Sequence, residues 1–316
     1  MVPQQRTIER RIPAHPSQDG DGVKMKRIHE FGGGLDPFLM LDELRASPDD
    51  AHIGGFPPHP HRGIQTLTYV IHGGLTHEDH LSHRSTIYPG DAQWMHTGHG
   101  MIHSEMPLTD ENGLLAFQLW LNLPATEKMS TPTYRDVRHA QMPTLAVDNG
   151  QLVALGGQWQ THAGSINGPL DALAGNGGVS HLTLAAQGEI ELKIAATTLC
   201  AYVFQGALNC GGETASAGEL IRFSAGDSLR LTTSEGAQAL LLAGEPHHEP
   251  IAHYGPFVMN TRAELDQALR DYRDGTFTQS PPQLLELMAA KKKVLCHWVS
   301  ISSDCVNKQR LKIIVG

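Results

Sequence analysis

Gly55-Phe-Pro-Pro-His59-Pro-His61-Arg-Gly63 and Gly98-His-Gly-Met-Ile-His103-Ser-Glu105-Met-Pro107 each carry a pair of donor side chains spaced i, i+2. Successive side chains on a strand point to opposite faces, so residues two apart share one. If the two segments are neighbouring barrel strands, the imidazoles of His59, His61 and His103 and the carboxylate of Glu105 converge on one point. That reading makes the region a barrel around a metal site.

Working outward, turn-punctuated strands dominate. Thr7–Ile12 and Val23–Ile28 alternate around Asp19-Gly-Asp-Gly, a turn signal; Phe38–Asp42 and Gln65–Ile71 follow. Ser85–Tyr88 leads into Pro89-Gly-Asp, and Gly113–Leu123 is stopped by Pro124. No long amphipathic helix is predicted in the first 150 residues. A second unit from about Leu152 to Glu245 repeats the rhythm, with strands predicted at Val179–Ala185, Ile190–Ile194, Cys200–Phe204, Glu219–Phe223, Ser228–Thr232 and Ala237–Leu242.

Two pieces of the second unit copy the first. Tyr69-Val-Ile-His-Gly73 is echoed by Tyr202-Val-Phe-Gln-Gly206, and Pro89-Gly-Asp91 by Ala225-Gly-Asp227. Internal duplication follows. Carried across by the same offsets, His59 and His61 become Leu192 and Ile194, and His103 and Glu105 become Ala239 and Leu241. A barrel interior without an ion is filled by aliphatic side chains, so the first unit is expected to hold metal and the second to be empty of it. Beyond it, Thr261-x-x-Glu264 reads as a capping box for a helix carrying Leu265, Ala268, Leu269 and Tyr272, with Gly275 as its stop.

An isolated His-x-His pair also fits surface histidines in a Pro-rich loop; the four residues together with the apolar second copy favour metal. Three His and one Glu leave two octahedral positions open, which suits catalysis better than the closed sites of structural zinc. Fe(II) is the expected ion, one per chain, with Ni, Mn, Cu or Zn able to use the same donors. Glu105 has a second possible role as general base toward a substrate hydroxyl. His77, His80 and His83, around Glu78 and Asp79, read as a solvated loop; His96 and His99 read as pocket rim or ligand support. Trp94 and Trp120 are read as core, and the cysteines as buried small hydrophobes.

The chain has 316 residues, 40% hydrophobic and 18% charged, with 33 Gly, 19 Pro and 19 His, and a net charge of −9. That charge argues against nucleic-acid binding. No stretch approaches the roughly 20 apolar residues of a membrane span, and Met1-Val-Pro-Gln-Gln-Arg opens no apolar run of a secretory signal. Cys200, Cys210, Cys296 and Cys305 lack zinc or redox spacing, so a cytoplasmic location is expected. From Ser280 onward there are six Lys or Arg against two acids, a basic tail of unassigned role. The expected domains are 1–145, 146–260, a helix over 261–279 and the tail 280–316.

These residues resemble the pirin family of the cupin superfamily. The resemblance is carried by Gly55–Gly63, Pro89-Gly-Asp-Ala-Gln-Trp-Met95, Gly98–Pro107, Phe117-Gln-Leu-Trp-Leu-Asn-Leu-Pro124 and Gly255-Pro-Phe-Val-Met-Asn-Thr261, with Asp36–Glu43 also fitting. It implies an all-β bicupin, two double-stranded β-helix (jelly-roll) barrels facing each other with a C-terminal helix, and metal in the N-terminal barrel only. The family's ligands fall on His59, His61, His103 and Glu105. Bacterial members imply quercetin 2,3-dioxygenase activity: a flavonol and O₂ as substrates, Glu105 taking the hydroxyl proton, CO and a depside as products. The family equally implies an alternative, a metal- or redox-sensitive regulator that binds a transcription factor or metabolic enzyme without turnover. A bicupin that holds metal but has lost activity is the third. Gln65 departs from the Glu common at that position, and the tail resembles nothing in the family.

Overall fold

A computed structural model describes residues 4–50 and 54–278; the expected tail 280–316, with Cys296 and Cys305, lies outside the described residues. Strands build two barrels. In the first, a four-stranded sheet ordered Phe56–His61, Met101–Leu108, Gly74–Asp79, Arg84–Ile87 faces a seven-stranded one. The central strands of the larger sheet are Ala92–His96, Ile64–His72, Leu114–Asn122 and Phe38–Ala46. Pro57, Pro58 and Pro60 lie in Phe56–His61, at the edge of the small sheet and beside a register shift, the places in a sheet where proline is tolerated.

The second barrel is a ten-stranded sheet built around Gly178–Lys193, Thr198–Cys210 and Ala237–Gly244. Ile8–Pro13, at the start of the chain, pairs antiparallel with Glu219–Phe223 and so adds its strand to this sheet. The two strands predicted at Val179–Ala185 and Ile190–Ile194 are one, Gly178–Lys193. Its two halves pair with different partners, Ala237–Gly244 and Ser228–Thr232, and the exposed Ala185–Gln187 between them reads as a break in sequence. Leu192, Ala239 and Leu241 are buried in the aliphatic core of this barrel, and Ile194 packs against it.

The barrels share a second core that takes Leu67, Tyr69 and Phe117 from one and Tyr202, Phe204, Leu240 and Leu242 from the other. Across it the duplicated tyrosines reach in opposite directions. Tyr69 donates its hydroxyl to His181 Nδ1 at 3.1 Å, and Tyr202 donates to Glu43 Oε2 at 2.7 Å. The registers match: Tyr69 lies opposite Phe117 and Phe117 opposite Glu43, as Tyr202 lies opposite Leu240 and Leu240 opposite His181. Glu43 and His181 therefore occupy equivalent places in the two copies.

His181 makes this interface sensitive to acid. Burial lowers its ring to about 4 from 6.5, although Gln238 accepts a bond from its Nε2 at 3.0 Å. Between those values an unfolded chain holds a proton that the native ring does not. Stability is therefore complete above pH 6.5 and is lost as pH falls through the window toward 4. At about 1.4 kcal/mol per unit the loss is of order 3 kcal/mol. His181→Gln should flatten that part of the profile in urea titrations at several pH values. A profile as steep as that of the unaltered protein would count against the assignment.

After the barrels, Thr261 caps the helix Arg262–Asp274 by accepting from Glu264 N, while Glu264 Oε2 accepts from Thr261 N at 2.8 Å. Gly275 ends the helix at φ 77°, as expected. The helix packs Leu265 and Ala268 with Ile102, Phe257, Met259 and Phe277 against the first barrel. No helix among the described residues is long and apolar enough to cross a membrane.

Candidate metal site

His59 and His103 face each other across the ladder between Phe56–His61 and Met101–Leu108. A one-residue register shift between His103 and Glu105 sets Glu105 opposite Phe56. Ligand-type atoms of His59, His61 and His103 lie within 4.8 Å of one another; Glu105 joins a second such group with His103 and His77. The structure thus brings the three imidazoles together and places the carboxylate in an adjoining group through His103.

Each side chain has a defined surrounding. His59 directs Nδ1 to the carbonyl of Pro57 at 2.9 Å, which leaves Nε2 bare. Both ring nitrogens of His61, and Nε2 of His103, are buried without a hydrogen-bond partner. Glu105 Oε2 accepts from Gln118 Nε2 at 2.8 Å, and Thr68 Oγ1 lies 3.5 Å from Oε1. Gln118 is oriented in turn, because its Oε1 accepts from Trp120 Nε1 at 3.3 Å. Trp120 presents its ring to His61 edge-on at 5.0 Å between centroids. Gln118 and Thr68 are paired neighbours on the large sheet, so the carboxylate is gripped from across the barrel.

Burial favours neutral rings. Desolvation lowers His59, and it lowers His61 and His103 well below the ordinary histidine range, with the neighbouring imidazoles adding to the effect on the latter two. Buried polar atoms ordinarily find partners, so three orphaned imidazole nitrogens mark a place built for something else. Neutral imidazole nitrogen with one adjoining carboxylate fits a borderline transition-metal ion.

Several sequence expectations change. His77 and His80 are buried, and Gly74–Asp79 is a strand, not a solvated loop. Leu75, His77 and Asp79 point inward by simple alternation, a signal masked because two of the three are polar. His77 bonds Asp79 and lies against His103 and Tyr134. His96 is bonded to Ser130 and Gln65. Gln65 reaches over to the second barrel, donating to Ala172 O and accepting from Ala174 N, so its role is in the interface and not beside the histidine cluster. Trp94 and Trp120 lie in cores, as expected, and Cys200 is buried with its thiol pushed up to about 12 by desolvation.

Two buried basic side chains at the turn that follows His61 carried no local sequence signal. Arg62 pairs with Asp271 on the C-terminal helix at 2.7 Å, donates to the carbonyls of His99 and Phe277, and lies 4.4 Å over the Phe277 ring. Lys128 sends Nζ to Gly63 O, Asn122 Oδ1 and Val258 O at 2.9, 2.7 and 3.1 Å; burial lowers its ammonium to about 7. Gly63 has φ +79°, and a Cβ there would meet Val258 O at 2.0 Å, so only glycine lets this turn close against the Phe257–Met259 strand.

Known proteins carry the same architecture. The family model described as Pirin matches residues 23–121, and the Pirin C-terminal cupin domain matches residues 179–278. A Vibrio cholerae protein provisionally named a quercetin 2,3-dioxygenase is 42% identical over 283 residues, covering 86% of this chain and 98% of its own. A Pseudomonas aeruginosa protein of the same provisional name is 41% identical over 270 residues, covering 83% and 94%. The crystal structure of quercetin 2,3-dioxygenase from Acinetobacter baumannii matches with a TM-score of 0.78 at 29% identity, over 86% of this chain and 98% of that one. With both halves matched and the two barrels in place, this chain belongs to the pirin family and folds as its paired cupins.

Proposed function

We propose that the protein is a metal-dependent dioxygenase that opens the heterocyclic ring of a flavonol such as quercetin, with His59, His61, His103 and Glu105 holding one divalent ion. The observation that carries this reading is the set of bare, buried imidazole nitrogens beside an anchored carboxylate. The names of the relatives set its direction. Fe(II) is the ion the donors suit first, with Ni, Mn, Cu or Zn as alternatives. When bound, the ion supplies Lewis acidity and a centre at which substrate and O₂ meet.

The chain's own residues do the rest. Glu105 takes the proton of the flavonol 3-hydroxyl, and Gln118 and Thr68 keep its carboxylate aimed while it does so. The ladder pairing of His59 and His103 and the edge of Trp120 fix the imidazoles, so little reorganisation accompanies reaction. Burial of His61, His103 and Glu105 keeps bulk water from their donor atoms. Both oxygen atoms of O₂ enter the depside and one ring carbon leaves as CO, so the balance needs no other reductant.

The test is to load purified protein separately with Fe(II), Ni(II), Mn(II) and Cu(II) and follow quercetin absorbance and CO with and without O₂. O₂-dependent loss of quercetin with CO release is expected in at least one form and is abolished in Glu105→Gln. No turnover in any form would remove the enzymatic reading. Partner binding that differs between the Fe(II) and Fe(III) protein would then put the regulatory reading in its place.

A further inference from the structure

The strand Gly74–Asp79 runs on the other side of Met101–Leu108 from the His59 strand, with Asp79 opposite His103 and His77 opposite Glu105. We infer that Asp79, acting through His77, fixes which nitrogen of His103 carries the proton, and so presents His103 Nε2 to the ion. Asp79 and His77 are positioning residues in this scheme, which rests on the proposal that His103 is a metal ligand.

With the His77 and His103 rings neutral, the proton positions follow from the Asp79 carboxylate and the backbone N–H groups that fix it. Asp79 Oδ1 accepts from the backbone N–H of Leu81 and His83 at 2.9 and 3.0 Å. Its Oδ2 takes His83 Nδ1 at 2.8 Å and His77 Nε2 at 3.2 Å. An ionised carboxylate only accepts, so His77 carries its proton on Nε2. A neutral imidazole has a single N–H, which leaves His77 Nδ1 as an acceptor. That atom lies 3.4 Å from His103 Nδ1, so His103 donates from Nδ1 and its Nε2 is bare. Nε2 is the buried His103 nitrogen without a partner. His59 arrives at the same state by a different route, through Pro57 O. Tyr134 stacks on His77 and on His83, with centroids 4.5 and 4.9 Å away, and so restrains the tilt of both rings.

The same geometry dictates the informative substitution. In Asp79→Asn the N–H groups of Leu81 and His83 claim the amide oxygen, which turns the amide NH₂ toward the histidines. Its N–H then donates to His77 Nε2, His77 Nδ1 gains the proton, and His103 must accept at Nδ1 and carry hydrogen on Nε2. The polarity of the chain is reversed at the ion. Outer partners of metal-bound histidines are worth roughly 10–100-fold in affinity, and a loss of that size is expected. His77→Phe keeps the stacked ring but removes the acceptor, and should weaken binding similarly. His77→Gln, whose Oε1 can accept from His103, should recover part of the loss.

The measurement is Ni(II) affinity by competition with a chelating indicator, beside the melting of the metal-free proteins. Reduced affinity in Asp79→Asn and His77→Phe, partial recovery in His77→Gln and little change in metal-free melting support the scheme. Wild-type affinity in all three variants, from a wild type that binds Ni(II), overturns it and leaves the metal site standing. Loss in Asp79→Asn with none in His77→Phe also overturns it, because the effect would then bypass His77. A wild type that takes up neither Ni(II) nor Fe(II) removes the underlying site itself.

Discussion

Replacing His61 with leucine is expected to leave a metal-free protein at least as stable as the wild type, and one that no longer gains from metal. Both ring nitrogens of His61 are buried without partners, and an unsatisfied buried polar atom costs about 1–3 kcal/mol. Leucine fills a similar volume with no such atom, so the metal-free variant gains up to about that amount. With the ion present the order reverses. A ligand at about 100 to 1,000 times its Kd stabilises a protein by about 3–4 kcal/mol, and only the wild type collects it. Losing a direct donor costs more than the roughly 10–100-fold attached to an outer partner, so bound metal and turnover both disappear. Melting with and without Ni(II), beside measured metal content, checks this. Equal metal content and an equal metal-induced shift in the two proteins would show that His61 is not a ligand.

Asp271→Ala carries the other large effect, and it acts from the C-terminal helix. It strands the Arg62 guanidinium, whose side chain is 3% exposed, in a place where two carbonyls and the Phe277 ring remain as its partners. Breaking a buried pair from one side costs about 3–5 kcal/mol. Because Asp271 itself is 20% exposed, water can reach part of the gap, and the lower end, about 3 kcal/mol, is expected. Asp271→Asn keeps a hydrogen bond to Nη1 and should fall between. Arg62 adjoins His61, so metal affinity should drop as well. Guanidinium titrations and the Ni(II) competition measure the two effects; a loss below about 0.5 kcal/mol would mean that Arg62 is held by its carbonyls alone.

What the chain discloses before folding depends on whether a residue's partner is near it in sequence. Strands with one apolar face, such as Glu219–Phe223 and Ser228–Thr232, are found at their observed bounds because alternation is a local signal. The helix cap is equally local, with Thr261 and Glu264 three residues apart. The match of Tyr69 to Tyr202 reveals the repeat, and their registers in the two barrels agree with it. Gly74–Asp79 escaped because its inward residues His77 and Asp79 face a polar site, and a polar interior erases the hydrophobic period that marks a strand. Arg62 and Lys128 escaped for another reason. Their bonds run 209 residues to Asp271 and 130 to Val258, and nothing in the flanking sequence points so far.

The crossed tyrosines have a consequence for how the chain can be divided. Each barrel supplies a phenol to a buried acceptor in the other, Glu43 in one direction and His181 in the reverse. Cut apart, the first half would present Phe117 and a carboxylate robbed of its phenol, and the second would present Phe204 beside a His181 ring whose Nδ1 has lost its donor. The protein is in effect a dimer whose subunits were joined end to end, and the half without the histidine cluster is the wall against which the half that carries it is held.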